Sequence, residues 1–175
     1  NQFLAHIRET DAIAHVVRAF ENDAVMHPLS SVDPARDARA LEEELQLSDL
    51  IIIEKRIERL EKEHKKDQEL QTLTRAREHI EAGNPLRTLE LSAPELREIK
   101  GFEFLSLKPL MLLGNYGEAA ISAEDPAGLH AAAEALGLVH IDLCGEMEME
   151  VAQLPEEERA GFREELGLGE ESRTR

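Results

Sequence analysis

Tryptophan is missing from this sequence, and tyrosine and cysteine occur once each. With aromatics at 3% of residues, a stacking platform for single-stranded nucleic acid is excluded as the main function, because such platforms need several exposed rings. The single Cys144 excludes an internal disulfide framework and fits a reducing, cytoplasmic setting. No apolar run approaches the roughly 20 residues that span a bilayer, and no signal-peptide pattern is read, so no membrane partner is expected. Catalytic signatures are missing too. There is no Gly-x-x-x-x-Gly-Lys-Ser/Thr loop, no Gly-x-Ser-x-Gly elbow and no His-Glu-x-x-His pair. His15 has His6 and His27 as its nearest histidines, at no metal-ligand spacing, and reads as a packed or strand-end residue. No catalytic residue and no metal ligand is read from the sequence. Basic charge is scarce as well: the net charge of −17 opposes non-specific attraction to nucleic acid and gives no basis for sequence-specific DNA binding, although a local basic patch can still act.

What is present is a core-forming 42% of hydrophobic residues and 33% of charged ones, in 175 residues. That suffices for one domain with an appendage. Phe3, Leu4 and Ile7 share a helical face, and residues 12–20 read as a β-branched strand. Asp33-Pro34 is a helix start, with the acid as cap and the proline in the first turn. No proline or glycine follows until beyond Lys66, and Leu50, Ile53, Ile57 and Leu60 mark a coiled-coil seam. Asp67 opens a return arm marked by Leu70, Leu73 and Ile80 and ended by Gly83-Asn84-Pro85. The expectation is a long helical hairpin that projects. A further short helix follows, with Ser92, Pro94 and Glu95 forming its start.

The hairpin's charge is uneven. Its first third carries Glu42, Glu43 and Glu44, and its tip carries Lys55, Arg56, Arg59, Lys62, Lys65 and Lys66. Interspersed glutamates support one reading, a solvated helix laced with ion pairs. The other reading is a basic tip, centred on Arg59, Lys62, Lys65 and Lys66, that seeks nucleic-acid phosphate.

The organising stretch is Pro109-Leu110-Met111-Leu112-Leu113-Gly114-Asn115-Tyr116-Gly117-Glu118. Four large apolar residues between proline and glycine read as a buried parallel strand running into a polar loop at Gly114. Residues 126–136 are Ala-rich and helical, 138–143 form another strand closed by Cys144-Gly145, and an acidic helical tail has Pro155 at a helix start. Strands alternating with helices predict an α/β fold with a parallel sheet and right-handed crossovers. Ligands in such sheets bind beyond the carboxyl ends of the strands. Asn115, Glu118, Cys144 and Gly145 should therefore converge on one crevice. Three strands make a small sheet, and Asn1 starts inside a helix, so the expectation is a fragment of a longer protein.

Several runs resemble the YchF/Obg-like ATPase family. They are residues 1–13, His15-Val16-Val17-Arg18-Ala19-Phe20, Val32-Asp33-Pro34, Glu54-Lys55-Arg56-Ile57, Leu105-Ser106-Leu107-Lys108-Pro109, Asn115-Tyr116-Gly117-Glu118 and the helix from Glu156 to Leu168. The resemblance covers most of the chain in the family's order. It implies the second half of a P-loop NTPase (G-domain) parallel sheet with an inserted α-helical coiled-coil hairpin. The implied divisions are residues 1–32 and 101–154 for the G domain, 33–100 for the insertion, and 155–175 for an acidic helix and linker. It further implies ATP preferred over GTP, magnesium as the nucleotide's partner ion, and association with the ribosome or its RNA. By the same resemblance Asn115, Tyr116 and Glu118 form the base-recognition motif, and Cys144-Gly145 the loop that closes over the base. Tyr116 departs from the family's usual aliphatic residue. The family's phosphate loop, switch regions and TGS domain have no counterpart among these residues, so this chain alone is expected to be inactive. The alternative from a different class is a non-enzymatic helical adaptor that binds protein partners through the hairpin.

Overall fold

The computed structural model describes residues 2–64, 67–120, 125 and 127–166. Their order along the chain is α1 (Gln2–Arg8), β1 (Ile13–Ala19), α2 (Pro34–Lys62), α3 (Gln68–Glu81), α4 (Ala93–Ile99), β2 (Leu110–Tyr116), α5 (Leu129–Ala135), β3 (Val139–Leu143), α6 (Gly145–Gln153) and α7 (Glu156–Glu165). Short 3₁₀ turns at Leu86–Thr88 and Lys100–Phe102 flank α4. The chain divides into two compact units, residues 1–13 with 39–110 and residues 14–38 with 111–175.

The first unit is helical. Its main core is the predicted seam: Ile53, Ile57 and Leu60 of α2 pack with Leu73, Ala76 and Ile80 of α3, and with Leu86, Ile99 and Phe104. Leu50 and Leu70 lie at the margin of this core. Helix α3 starts where Asp67 accepts the N–H of Leu70 at 3.1 Å. It stops at Gly83, whose φ of +84° suits a residue without Cβ. There the N–H of Gly83 bonds Ile80 O and that of Asn84 bonds His79 O, closing two carbonyls that a helix end would leave open. Helix α4 starts in the predicted capping box of Ser92 and Glu95. Helix α1 departs from the expected face: Leu4 is buried with Leu45 and Leu105, whereas Phe3 is 58% exposed. A seven-residue helix covers only about two turns, so a single position decides which face is buried.

The second unit holds the sheet, in the order β1-β2-β3. β2 and β3 are parallel, with Met111 opposite Val139 and Asn115 opposite Leu143. The connection through α5 is the crossover that parallel strands require. α5 starts later than expected, at Leu129, after Gly128 in the left-handed region. Asp125 fixes its first turn by accepting the N–H groups of His130 and Ala131. Asp33 accepts the N–H of Arg36 at 3.0 Å at the start of α2, and its neighbour Asp37 pairs with His27 at 3.0 Å.

Candidate functional site

Strand β2 does not end at Gly114, as the polar loop suggested, but continues through Asn115 to Tyr116. Parallel pairing with β3 supplies the reason, because the register carries on past Gly114–Asp142 to Asn115–Leu143. Glycine at 114 is needed for packing. A Cβ there would lie 2.5 Å from Tyr116 Cε2, 2.8 Å from Asp142 Oδ1 and 2.8 Å from Leu129 Cδ2.

Alternation along β2 sets the roles of its last residues. Leu112, Gly114 and Tyr116 are buried on one face, and Asn115 points to the other. Asn115 and Tyr116 therefore cannot offer side chains to the same ligand. The Tyr116 ring is 2% exposed. Burial, reinforced by the carboxylates of Asp142 and Asp125, pushes its hydroxyl far above the ordinary tyrosine range. What Tyr116 presents at the strand end is backbone.

Asn115 reaches across to the next strand. Its Oδ1 accepts the N–H of Gly145 at 3.0 Å. Gly145 is the first residue of α6, and a Cβ on it would stand 3.2 Å from that same oxygen. Cys144, immediately before it, is 1% exposed and fills the corner between β3 and α6. Glu118 lies two residues beyond the strand in a turn and is exposed. The carboxyl ends of β2 and β3 thus present an amide, backbone and an exposed carboxylate. The amide of Asn115 carries both donors and an acceptor and the carboxylate of Glu118 only acceptors, groups able to pair with the polar edge of a heterocycle.

In the hairpin, Arg59 pairs with Glu63 at 2.9 Å and Lys62 with Glu58 at 2.6 Å, all on exposed surface. Arg56 is held bidentately by Glu69. Lys65 and Lys66 lie outside the described residues.

One cluster escaped the sequence reading. His130, His140 and Asp142 gather in the second unit with their ligand-type atoms within 4.8 Å of one another. The available signal was His140-Ile141-Asp142 on a strand, where alternate residues share a face. His130 could be added only once α5 was seen packed on β3.

No protein-family model matches the chain. Relatives named ribosome-binding ATPase YchF match over 97% of it: that of Haemophilus ducreyi at 40% identity, of Escherichia coli O157:H7 at 42% and of Bacillus subtilis at 36%. The chain spans about half the length of these curated relatives, 48%, 48% and 49%. Among solved structures, the YchF GTPase of Schizosaccharomyces pombe superposes with a TM-score of 0.84 at 26% identity, covering 96% of this chain and 49% of that one. With the sequence matched almost end to end and the fold superposed over the same range, the chain belongs to the YchF family of P-loop NTPases.

Proposed function

We propose that this chain supplies the base-recognition side of a nucleotide site in a ribosome-associated ATPase. The observation that carries this reading is the bond from Gly145 N–H to Asn115 Oδ1, which ties together the strand ends where α/β sheets bind ligands. Because its oxygen is engaged, Asn115 keeps the two donors of its amide nitrogen for the acceptor nitrogens of a purine. The backbone at Tyr116 and the Cys144-Gly145 corner form the remaining walls. Guanine offers N–H donors that a carboxylate accepts, whereas adenine offers an acceptor at N1 that a carboxylate repels. Glu118, exposed and one methylene longer than aspartate, lies aside, and ATP is preferred over GTP. When bound, the nucleotide with its magnesium supplies the phosphoryl chemistry; the residues named here only hold and orient the base.

In this reading residues 33–100 are a helical insertion in a nucleotide-binding domain formed by 1–32 and 101–154, with the insertion's packing extended to residues 1–13 and 101–110. The hairpin is the ribosome contact, through Arg59, Lys62, Lys65 and Lys66. A second reading, a helical adaptor for protein partners, draws on a different observation: Arg56, Arg59 and Lys62 are each already paired with a glutamate.

The test is nucleotide titration of Glu118→Asp in a polypeptide of the relatives' length. Preference should move toward GTP by about 1–3 kcal/mol, the worth of one good pair of base contacts. Unchanged selectivity would remove Glu118 from the site. The 175-residue chain itself should bind ATP weakly or not at all, since phosphate and metal contacts dominate affinity in P-loop proteins. Micromolar binding by calorimetry would overturn that division of labour.

A further inference from the structure

We propose that His130, His140 and Asp142 form a binding site for a divalent cation of the zinc class. β3 sends the side chains of His140 and Asp142 from one face, two residues apart. α5 sets His130 above them, with the two imidazole centroids 4.3 Å apart and the ring planes tilted by 37°. Nε2 of His130 faces Oδ2 of Asp142 in direct contact. One nitrogen from each ring and one carboxylate oxygen lie within 4.8 Å of each other. Around zinc, with ligand bonds of about 2.0–2.2 Å, tetrahedral donors stand roughly 3.4 Å apart. Small side-chain rotations bring the observed atoms to that spacing.

The supporting structure holds the ligands from below. Asp125 fixes the first turn of α5 through the N–H of His130 itself. Gly114 lies opposite Asp142 in the sheet, and a Cβ at that position would sit 2.8 Å from Asp142 Oδ1. The carboxylate therefore occupies space that only a glycine leaves open. Access is open from solvent: the side chains of His130 and Asp142 are 34% and 23% exposed, and His140 is partly exposed.

The donor set selects the ion. Two imidazoles and one carboxylate suit zinc and its borderline neighbours, whereas magnesium and calcium prefer all-oxygen shells. Three protein ligands leave one position for water or a small ligand. The competing explanation is a His130–Asp142 hydrogen bond with His140 stacked beside it and no ion.

The experiment is zinc titration of the full chain by calorimetry, with excess magnesium present to cover the acidic surface. Cobalt(II) visible spectra and thermal unfolding serve as independent readouts. The expected result is one equivalent bound, a ligand-field spectrum of low symmetry displaced by zinc, and a zinc-dependent rise in Tm. His140→Ala and Asp142→Asn should each weaken binding by at least about tenfold, the loss that even outer partners of metal ligands produce. They should also abolish the rise in Tm. His79→Ala, in the other unit and bonded to Thr88, should change none of these. His140 is partly exposed and outside the buried core, so its replacement leaves the core intact. Absence of stoichiometric binding in the unsubstituted chain, or full binding retained by both His140→Ala and Asp142→Asn, would overturn the proposal.

Discussion

The carboxylate of Asp49 accepts the hydroxyl of Ser106 at 2.8 Å, from the middle of α2, where its neighbours Leu47, Ser48, Leu50 and Ile51 are uncharged. The same carboxylate accepts the N–H of Leu105 at 2.8 Å and of Ser106 at 2.7 Å. Asp49 is 0% exposed, and Arg8 stands 3.9 Å away. The residue therefore fixes the chain segment that leads into β2. Asp49→Ala leaves two N–H groups and a hydroxyl without their acceptor, at about 1–3 kcal/mol each when buried. Urea unfolding should show a large fall in midpoint, with a smaller fall for Asp49→Asn. Burial, the dominant influence, raises the Asp49 carboxyl above its ordinary 3.8, while the bonds from Leu105 and Ser106 and the charge of Arg8 oppose that rise. A raised folded-state value makes its contribution complete below 3.8 and lost as pH rises through the folded value. The stability gap between the unsubstituted chain and Asp49→Asn should narrow across that rise.

His15 has the opposite dependence. Its burial lowers the imidazole below the ordinary 6.5, with the nearby carboxylate of Asp37 partly offsetting this. Its Nδ1 is buried with no hydrogen-bond partner among the described residues. For a base depressed in the folded state, the contribution is present above 6.5 and lost as pH falls through the folded value. Thermal unfolding over a pH series should show Tm declining on mild acidification, and His15→Leu should flatten that decline. An identical slope in the variant would assign the acid sensitivity to other groups.

Gly114→Ala tests the junction of β2, β3 and α5. Its Cβ would meet three side chains at 2.5–2.8 Å, from β2, β3 and α5. One of these is the Tyr116 ring, which has no space to turn in a site 2% exposed. Overpacking of this kind costs about 1–3 kcal/mol. Adding Tyr116→Leu should restore part of the loss, measured by denaturant unfolding. A neutral Gly114→Ala would mean that the glycine is not a packing requirement.

Local chemistry made much of the fold legible. Asp33-Pro34, Ser92 with Glu95, Asp67 and Gly83 each state a helix end in a few residues, and the spacing of Ile53, Ile57 and Leu60 states a seam. Features that depend on pairing across the chain were not legible. Gly114-Asn115 reads locally as a turn, but a neighbouring strand in register keeps it extended. Asp49 looks like one more acid on a charged helix until Leu105 and Ser106 are laid against it. The proximity of Asn115 to Gly145 follows from adjacent parallel strands, which alternating strands and helices do imply. His130 joins His140 and Asp142 only through the packing of α5, for which the sequence carries no periodic signal.

The hairpin tip carries exposed cations. Arg59 and Lys62 have side chains 70% and 72% exposed, and their partners Glu63 and Glu58 are on the same helical surface, four residues away. Lys62 holds the Glu58 carboxyl below its usual range, chiefly through their hydrogen bond. Exposed pairs of this sort are weakly held and screened by salt. Phosphates of an RNA can therefore replace the glutamates as partners, with release of counterions supplying the driving force. If the tip touches ribosomal RNA, Lys62→Glu, Lys65→Glu and Lys66→Glu together should weaken ribosome association in a polypeptide of the relatives' length. The remaining binding should fall less steeply with salt, and ATP turnover away from the ribosome should stay near normal. Sedimentation with ribosomes over a salt series reads both quantities. If the triple reversal leaves affinity and salt slope intact, the hairpin is an ion-paired surface, and the adaptor reading, with a protein partner on that surface, gains the ground that the RNA contact loses.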